Sequence, residues 1–396
     1  MSSAPAEHVQ DILDQRAGIC LRAGWGHVCI LLGGGHISEF VTHTHPKLNP
    51  LWRPPWRTID PERYSPVDHK DEFGAPPDGR LLAGIAGHSL SFDYFGPPSP
   101  EEAAAGLSTH GEAPATTWGV LREFQEDQPG IELGVQLPVA QIDFRRTLHL
   151  DSKHPVIYCE EKARNLGQFD RPICWNEHVT IGPPFLECRA TLIDMPATRA
   201  KVIPSSYSDA MMLLPSTEFQ WPHARLQDGG VHDERTTPDG VYGRYTAQLL
   251  DPNQVTGYVA ISNARAGLML VYLFRRSDFP WVGNWEERFY RKTPPWAGKT
   301  FCRGLEFSTT PFAIPRRETI TQGPLFGEST YRWLPALSEV KVRYMALLVD
   351  IPGDFAGVED VSLESAHVAM RERGRARTIS IPVGGSFLTG EVDSLQ

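Results

Sequence analysis

The chain lacks the features of several large protein classes. No apolar run is long enough to span a bilayer, and the N-terminal stretch "MSSAPAEHVQDILDQR" has no apolar core of a secretory signal. The formal net charge is −10, so no basic excess favours binding to nucleic acid or to an anionic membrane. These absences predict a mature cytoplasmic protein with neither kind of partner.

Cysteine is scarce, and none of the six cysteines stands in a C-x-x-C pair: Cys20, Cys29, Cys159, Cys174, Cys188 and Cys302. This scatter favours buried, reduced thiols over a disulfide or a zinc site. His43 and His45 form an H-x-H pair, which a strand would place on one face, and "GVHDE" is a second histidine cluster. Neither has an evident third ligand. We therefore expect no metal and no organic cofactor.

Two common enzyme signatures are also missing. The stretch "LLGGGHISEF" has neither the glycine spacing of a dinucleotide loop nor the Lys-Ser/Thr of a P-loop, so it predicts a turn between two strands. There is no G-x-S-x-G elbow and no cysteine in a nucleophile signature. Nucleotide binding and nucleophilic hydrolysis therefore have no support.

Glycine and proline, in contrast, are abundant, with 35 and 34 residues. They separate short β-branched or alternating runs, which is typical of an all-β protein with antiparallel sheets packed as a sandwich. These runs include "HVCILL", "GHISEFVTH", "TLHL", "PVIYCE", "ECRATLIDM", "GYVAISN", "GLMLVYLF", "VKVRYMALLVDI" and "RTISIPV". No internal repeat and no shift in composition divides them, so residues 25–396 are expected to form a single domain.

Helical patterns are few and short. We expect a helical appendage over residues 1–24, a short helix in "SPEEAAAG" capped by Ser99, and a third in "SLESAHVAMRER". Residues 47–80 form a long excursion from the sandwich, and loops of that length are usually functional. Its Trp52, Arg53 and Trp56 suit a sugar subsite, although packing is an equally good role for the tryptophans.

Three stretches carry candidate chemistry. They are "LSTHGEAP" with His110, "RPICWNEHVTIGPPF" with His178, and "FCRGLEFSTTPF" with Glu306. A carboxylate between Leu305 and Phe307 is either paired or functional, because burying it unpaired is costly. Each stretch lies near the end of a predicted strand. Taken together, the two histidines and the glutamate form one candidate catalytic set.

In this order and spacing, the set resembles the aldose 1-epimerase (galactose mutarotase-like) superfamily, in particular its glucose-6-phosphate 1-epimerase-like branch. "AGIAGHSLSFDYFGPP" followed by "STHGEAP" is similar to its glycine-rich stretch, aromatic-Phe-Gly-Pro turn and His-Gly pair. "WNEHVTIGPPF" is similar to the stretch of its second histidine and "GLEFSTTPF" to that of its glutamate. "FPWVGNWEE" resembles the segment that brings a tryptophan near the sugar, here Trp285.

The resemblance implies a β-supersandwich, a carbohydrate substrate, no cofactor, and a monomer or homodimer. It places His178 as the acid, Glu306 as the base and His110 as a positioning group. Residues implied in substrate binding are His88, Asp93, Trp175, Trp221, Trp285, Arg80, Trp52 and Arg53. The sequence departs from the family where Leu82 and Ala83 stand in place of a sugar-binding arginine. No aspartate matches the family's sugar-binding one, and "TEFQWPHA" offers Glu218, Gln220 and Trp221 instead.

Exchange of sugar anomers requires a proton to leave the anomeric hydroxyl while another reaches the ring oxygen. Glutamate suits the base and a charged histidine the acid, with Asn176 and Glu177 setting the orientation or the pKa of His178. We therefore expect His110, His178 and Glu306 to converge in one pocket. Two alternatives stay open: a non-catalytic carbohydrate-binding supersandwich, and an isomerase or lyase that acts on an acidic sugar.

Overall fold

The computed structural model describes residues 6–124, 128–204, 212–388 and 390. These residues form mainly antiparallel sheet, and the two largest sheets pack face to face around a shared apolar core. The predicted antiparallel β-supersandwich with a few short helices is confirmed. Within the same residues, no helix has the length and apolar character needed to cross a membrane.

The strands of the first third of the described chain are β1 (Ala6–Leu13), β2 (Arg16–Ala23), β3 (Gly26–Leu31), β4 (Ile37–Thr42), β5 (His88–Asp93), β6 (Gly119–Phe124), β7 (Gly130–Leu137) and β8 (Ile142–Leu150). Next come β9 (Val156–Asn165), β10 (Arg171–Ile181), β11 (Thr191–Asp194), β12 (Ala197–Val202), β13 (Glu218–Gln220), β14 (His223–Arg225), β15 (Val231–Asp233) and β16 (Tyr242–Leu250). The last are β17 (Thr256–Asn263), β18 (Leu268–Arg275), β19 (Trp281–Arg288), β20 (Phe301–Ser308), β21 (Arg332–Leu334), β22 (Glu339–Asp350), β23 (Val358–Glu364), β24 (His367–Glu372) and β25 (Thr378–Pro382).

The larger sheet has the order β1-β2-β3-β4-β5-β10-β20-β19-β16-β12-β13, with β21 paired to the start of β10. The smaller has the order β11-β17-β18-β22-β9-β8-β7-β6. A hairpin of β14 and β15 and a three-stranded sheet of β23, β24 and β25 complete the strands. The helices are α1 (Pro66–Phe73), α2 (Gly79–Gly84), α3 (Pro100–Ala104) and α4 (Arg316–Gln322), with 3-10 turns at Pro61–Arg63 and Ala113–Ala115.

Apolar side chains form three main layers. The first lies between the two large sheets and includes Phe144, Trp175 and Leu270. The second covers the outer face of the larger sheet, where loops and short helices pack on it, and the third joins the smaller sheet to β23–β25. Apolar layers therefore cover both faces of the central strands, which explains why nearly every residue of these strands is buried. The loops that cover the outer face leave room for a pocket beneath them.

The core between the large sheets also contains a buried ionic network. Arg146 of β8 contacts Glu161 of β9 and Glu177 of β10, and all three side chains are fully buried. The indole of Trp175 donates to both carboxylates at 3.0 and 3.1 Å. His88 of β5 lies 2.8 Å from Glu177. The network links β5, β8, β9 and β10, so it ties the two sheets together.

Two expected helices are strands instead. Residues 6–23 form the hairpin β1–β2, which extends the larger sheet, and the turn residues Asp14 and Gln15 both have positive φ, as a two-residue hairpin turn requires. "SLESAHVAMRER" forms part of the β23–β24 hairpin, where alternation buries Val361, Val368 and Met370. The Ser99-capped helix is confirmed as α3, with a capping box to Glu102.

The expectation that the cysteines are all reduced is also wrong. Cys20 of β2 lies directly opposite Cys29 of β3, and the two form a disulfide. Scattered spacing in the sequence hides this pairing, because the hairpin register alone places the two sulfurs together. The other four cysteines are free thiols, of which only Cys188 is partly exposed.

Candidate active site

His178 and Glu306 form a cross-strand pair on the outer face of the larger sheet. In the antiparallel register of β10 and β20 they stand directly opposite each other. Opposite residues of neighbouring strands share a face, so both side chains emerge on the same side. His178 Nε2 lies 3.1 Å from Glu306 Oε1. The register of two central strands therefore brings together groups 128 positions apart in the sequence.

Two glycines clear the space around this carboxylate. Gly283 of β19 lies opposite Glu306. Gly304 of β20 precedes Glu306 by two residues and lies on the same face. A Cβ at Gly283 would lie 2.2 Å from the Tyr245 hydroxyl and 2.7 Å from Glu306 Oε2. A Cβ at Gly304 would lie 2.6 Å from Glu306 Oε1. Any larger residue would displace the carboxylate.

The Glu306 carboxyl group is only half satisfied by the protein. The Tyr245 hydroxyl donates to Oε2 at 3.2 Å, whereas Oε1 accepts no aligned hydrogen bond from any described residue although it lies 3.1 Å from His178 Nε2. The side chain is 1% exposed. Burial raises the pKa of Glu306 to about 8, and the hydrogen bond from Tyr245 opposes this rise. At neutral pH Glu306 is thus a protonated carboxyl group, and its Oε1 has no hydrogen-bond donor among the described residues.

His178 is neutral at the same pH. Burial lowers its pKa to about 4, and its Nδ1 lies 3.0 Å from the Thr180 hydroxyl. The expected partners do not orient it. Glu177 points to the opposite face, into the ionic network, and the Asn176 amide has no hydrogen-bond partner among the described residues. Thr180 stands two residues after His178, so strand alternation could have identified it.

His110 lies in a turn just before the 3-10 turn Ala113–Ala115. Its Nδ1 accepts from the Gly96 backbone N–H at 3.0 Å, and the backbone N–H of His110 donates to the Gly96 carbonyl at 3.0 Å. Because Nδ1 is an acceptor, the proton of the neutral ring resides on Nε2. The ring stacks on Phe95 with centroids 4.9 Å apart and lies 5.4 Å from the His178 ring. Burial lowers the pKa of His110 well below its usual value, which favours this neutral donor.

His110, His178 and Glu306 line one cavity of about 480 Å³. Its walls are rich in aromatic side chains, with one arginine and one aspartate: Trp52, Phe95, Tyr245, Trp285, Trp296, Arg291 and Asp78. The Arg291 guanidinium stands 4.8 Å above the Trp296 ring. The indole N–H of Trp285 is buried without a partner among the described residues. The cavity thus offers flat apolar surfaces together with unsatisfied polar atoms.

Trp52 reaches this cavity because its backbone pairs with the end of β10. The Trp52 N–H donates to the Thr180 carbonyl at 2.8 Å. A Cβ at Gly182 would lie 2.5 Å from the Trp52 ring, so the glycine permits this approach. Trp52, Trp56 and Trp296 make consecutive edge-to-face contacts at 5.5 and 5.2 Å. The excursion over residues 47–80 therefore forms one wall of the cavity.

Of the eight residues implied in substrate binding, Trp52 and Trp285 line the cavity and six do not. His88 and Trp175 lie on the opposite face of the sheet, in the ionic network. Asp93 is held by ion pairs to arginines on β10 and α4. Trp221 packs at the edge of the core between the sheets.

The two arginines of that set also lie elsewhere. Arg80 is exposed on α2, and Arg53 pairs with Glu39 of β4. Glu218 and Gln220 lie on β13 at the edge of the larger sheet, where Glu218 pairs with Arg199. Tyr245, Trp296 and Arg291 line the cavity but stand in no motif, so sequence reasoning missed them.

The H-x-H pair does not form a metal cluster. His45 lies 3.2 Å from Asp350, and neither His43 nor His45 belongs to a group of three potential ligands among the described residues. In that part of the chain, one such group consists of His27, Cys29 and Glu39. None of these three was a candidate from the sequence.

Comparison with known proteins identifies the fold. No protein-family model and no curated protein sequence matches the chain. Among solved structures, it is similar to a galactose mutarotase-like protein from Clostridium acetobutylicum, with 14% identity, a TM-score of 0.59, and coverage of 87% of this chain and 98% of that one. A provisionally assigned aldose 1-epimerase from Klebsiella pneumoniae gives 13% identity, a TM-score of 0.60, and coverage of 85% and 79%.

A galactose mutarotase related enzyme from Lactobacillus acidophilus gives 12% identity, a TM-score of 0.53, and coverage of 85% and 98%. The alignments extend over most of both chains. The chain therefore has the galactose mutarotase-like supersandwich fold.

Proposed function

We propose that this chain is an aldose 1-epimerase-like isomerase that interconverts the anomers of a sugar or sugar derivative. The observation that carries the proposal is the buried pair of His178 and Glu306, 3.1 Å apart, beside His110 in an aromatic cavity. The fold shared with mutarotase-like structures is consistent with it but does not assign an activity.

The pair can perform both proton transfers at one anomeric carbon. The ring oxygen and the anomeric hydroxyl are bonded to the same carbon, so two neighbouring groups suffice and need not flank the sugar. One group protonates the ring oxygen while the other removes the hydroxyl proton, the bond from the anomeric carbon to the ring oxygen breaks, and an open-chain aldehyde results. Rotation and closure with the transfers reversed give the other anomer.

The proton count of the pair supports this chemistry. With pKa values of about 8 for Glu306 and about 4 for His178, the pair holds one proton between these limits. A proton-exchange catalyst needs one acid and one base, and a pair with one proton supplies both. The higher pKa of Glu306 favours this proton on its carboxyl group. Transfer to His178 would give the carboxylate and imidazolium roles that the resemblance implies, at the same total charge.

The surrounding residues suit a sugar. The Nε2–H of His110 can donate to a hydroxyl or ring oxygen, and the Nε1–H of Trp285, which has no partner among the described residues, is a second donor. Trp52 and Trp296 line the cavity and supply aromatic surface against which the apolar side of a sugar ring can pack. Arg291 is a cation in the cavity wall, where it also lies 3.5 Å from Glu287, and it favours one variant of the proposal, a sugar that carries an acidic group.

The test is anomer exchange in a panel of aldoses, uronic acids and sugar phosphates, selected first by thermal shift and then followed by NMR exchange spectroscopy. Glu306→Gln should retain binding and slow exchange by about 10²–10⁴-fold. Glu218→Gln, on the edge strand β13, serves as the control and should leave exchange unchanged.

Binding without exchange in the native protein would favour the carbohydrate-binding alternative. A product other than the second anomer would favour a lyase or another isomerase that acts on an acidic sugar. Unchanged exchange in Glu306→Gln would exclude Glu306 as a proton-transfer group.

A further inference from the structure

The outer face of β2, β3 and β4 contains a row of potential metal ligands, none of which lines the cavity described above. Cys20 stands opposite Cys29 in the β2–β3 pair, and Cys29 stands opposite Glu39 in the β3–β4 pair. His27 precedes Cys29 by two residues and so lies on the same face. Three adjacent strands thus bring two sulfurs, an imidazole and a carboxylate close together.

The distances in this row are close to those of ligands on a single ion. His27 Nε2 lies 3.2 Å from Glu39 Oε2, and these atoms and the Cys29 sulfur all lie within 4.8 Å of one another. Bonds of about 2.0–2.3 Å in a tetrahedral zinc site put neighbouring ligand atoms roughly 3.3–3.8 Å apart. A contraction of about 1 Å would therefore complete the geometry.

Accessibility and charge also fit this role. The cysteines are buried, at 4% and 3% exposure, whereas His27 and Glu39 are partly open to solvent. An ion can thus enter from the histidine and carboxylate side and reach the sulfur beneath. Arg53 pairs with Glu39, but its side chain is half exposed, and surface ion pairs of this kind are weak enough for an incoming cation to displace.

We propose that reduction of the Cys20–Cys29 disulfide opens a site for a thiophilic divalent cation, of which Zn²⁺ is the biological example, ligated by Cys29, His27 and Glu39. A disulfide sulfur carries no negative charge and is a poor ligand, so the oxidised row offers only two ligands. Reduction supplies the Cys29 thiolate as a third and frees Cys20 beside it as a fourth. The disulfide thus blocks the site, and its reduction opens it.

The redox step is balanced with a phosphine reductant. The S–S bond breaks and the sulfurs take up two electrons from phosphorus. A water molecule supplies its oxygen to form the phosphine oxide and its two protons to form the two thiols. The cation then displaces the protons of the thiols that ligate it. No other co-reactant is required.

The test uses the full chain, reduced with a water-soluble phosphine, desalted without oxygen and titrated with Co²⁺. The reduced protein should bind one equivalent and show the near-ultraviolet charge-transfer band of a thiolate–cobalt bond, which Zn²⁺ should abolish by displacement. Protein reoxidised with diamide should show no band. Cys29→Ser leaves only the Cys20 thiol beside the site, so it should weaken both the band and the binding, and His27→Ala should weaken binding by at least about 10-fold.

Cys188→Ser is the matched control, because Cys188 is a free, partly exposed thiol elsewhere in the chain, and it should bind Co²⁺ like the native protein. Circular dichroism checks that each variant folds. If Cys29→Ser does not fold, Glu39→Gln on the partly exposed side tests the same ligand set. Absence of stoichiometric binding by the reduced chain, or binding that survives both the His27 and the Glu39 change, would overturn the proposal.

Discussion

Glu306→Gln should make the protein more stable at neutral pH while it removes the proposed activity. The folded-state pKa of Glu306, about 8, lies above the ordinary glutamate value of 4.5. The unfolded chain therefore loses this proton as the pH rises above about 4.5, whereas the folded chain keeps it up to about pH 8. The stability linked to this group is complete below pH 4.5 and is lost as the pH rises through this window.

At pH 7, about two and a half pH units above the unfolded pKa, the loss amounts to roughly 3 kcal/mol at ~1.4 kcal/mol per unit. Glutamine is neutral and nearly isosteric, and its carbonyl can still accept from Tyr245. The variant should therefore exceed the native protein by up to about 3 kcal/mol at pH 7 and by about 1 kcal/mol at pH 5. His178, whose pKa is lowered, costs stability as the pH falls below 6.5, but it does so in both proteins.

Urea unfolding followed by tryptophan fluorescence at pH 5, 6 and 7 measures this difference. Glu364→Gln, an exposed carboxylate on β23, is the control and should change the free energy of unfolding by less than about 0.5 kcal/mol at every pH. If Glu306→Gln is no more stable than the native protein at pH 7, or if its gain does not shrink toward pH 5, the argument that burial raises the pKa of Glu306 is wrong.

Three further changes test the site and the core. Gly283→Ala should slow anomer exchange at least about 10-fold, because the added Cβ displaces the Glu306 carboxylate, whereas Gly119→Ala, which meets nothing closer than 3.9 Å, should not. Tyr245→Phe should raise the pKa of Glu306 further, because it removes the hydrogen bond that opposes the rise. In a pH profile, the fall in the exchange rate at alkaline pH should then move to higher pH. If it does not move, the hydrogen bond from Tyr245 does not determine the pKa of Glu306. Arg146→Met should lower the free energy of unfolding by about 3–5 kcal/mol in urea, since it leaves two buried glutamates without their cation, and a loss under 1 kcal/mol would contradict that view of the network.

The strands were predictable because their pattern is local. Runs such as "GLMLVYLF" and "VKVRYMALLVDI" are long and β-rich, and they became β18 and β22 at the centre of the smaller sheet. The helix prediction for the N-terminal segment was wrong because its conformation depends on pairing with another strand and not on its local pattern. Its spacing of apolar residues suits a helix, but β2 offers an unpaired edge, and the backbone hydrogen bonds to that edge decide its conformation.

The candidate proton-transfer residues were accessible through short motifs, whereas their environment was not. His110, His178 and Glu306 each stand in a recognisable stretch. Tyr245 and Trp296 stand in none, and only the packing of distant strands and loops brings them to the cavity. The same limit explains the position of Trp175, which we expected near the sugar because of its motif. Strand alternation turns it to the opposite face from His178, since the two are three residues apart on β10.

The sequence by itself therefore determined the all-β class, the strand-forming segments and the identity of three candidate groups, because these depend on composition, alternation and short motifs. The tertiary structure decided which groups meet. Strand register paired His178 with Glu306 and Cys20 with Cys29, across 128 and 9 positions of sequence. It also decided their protonation, because the raised pKa of Glu306 and the lowered pKa of His178 arise from burial, which is a property of the packed chain and not of any residue alone.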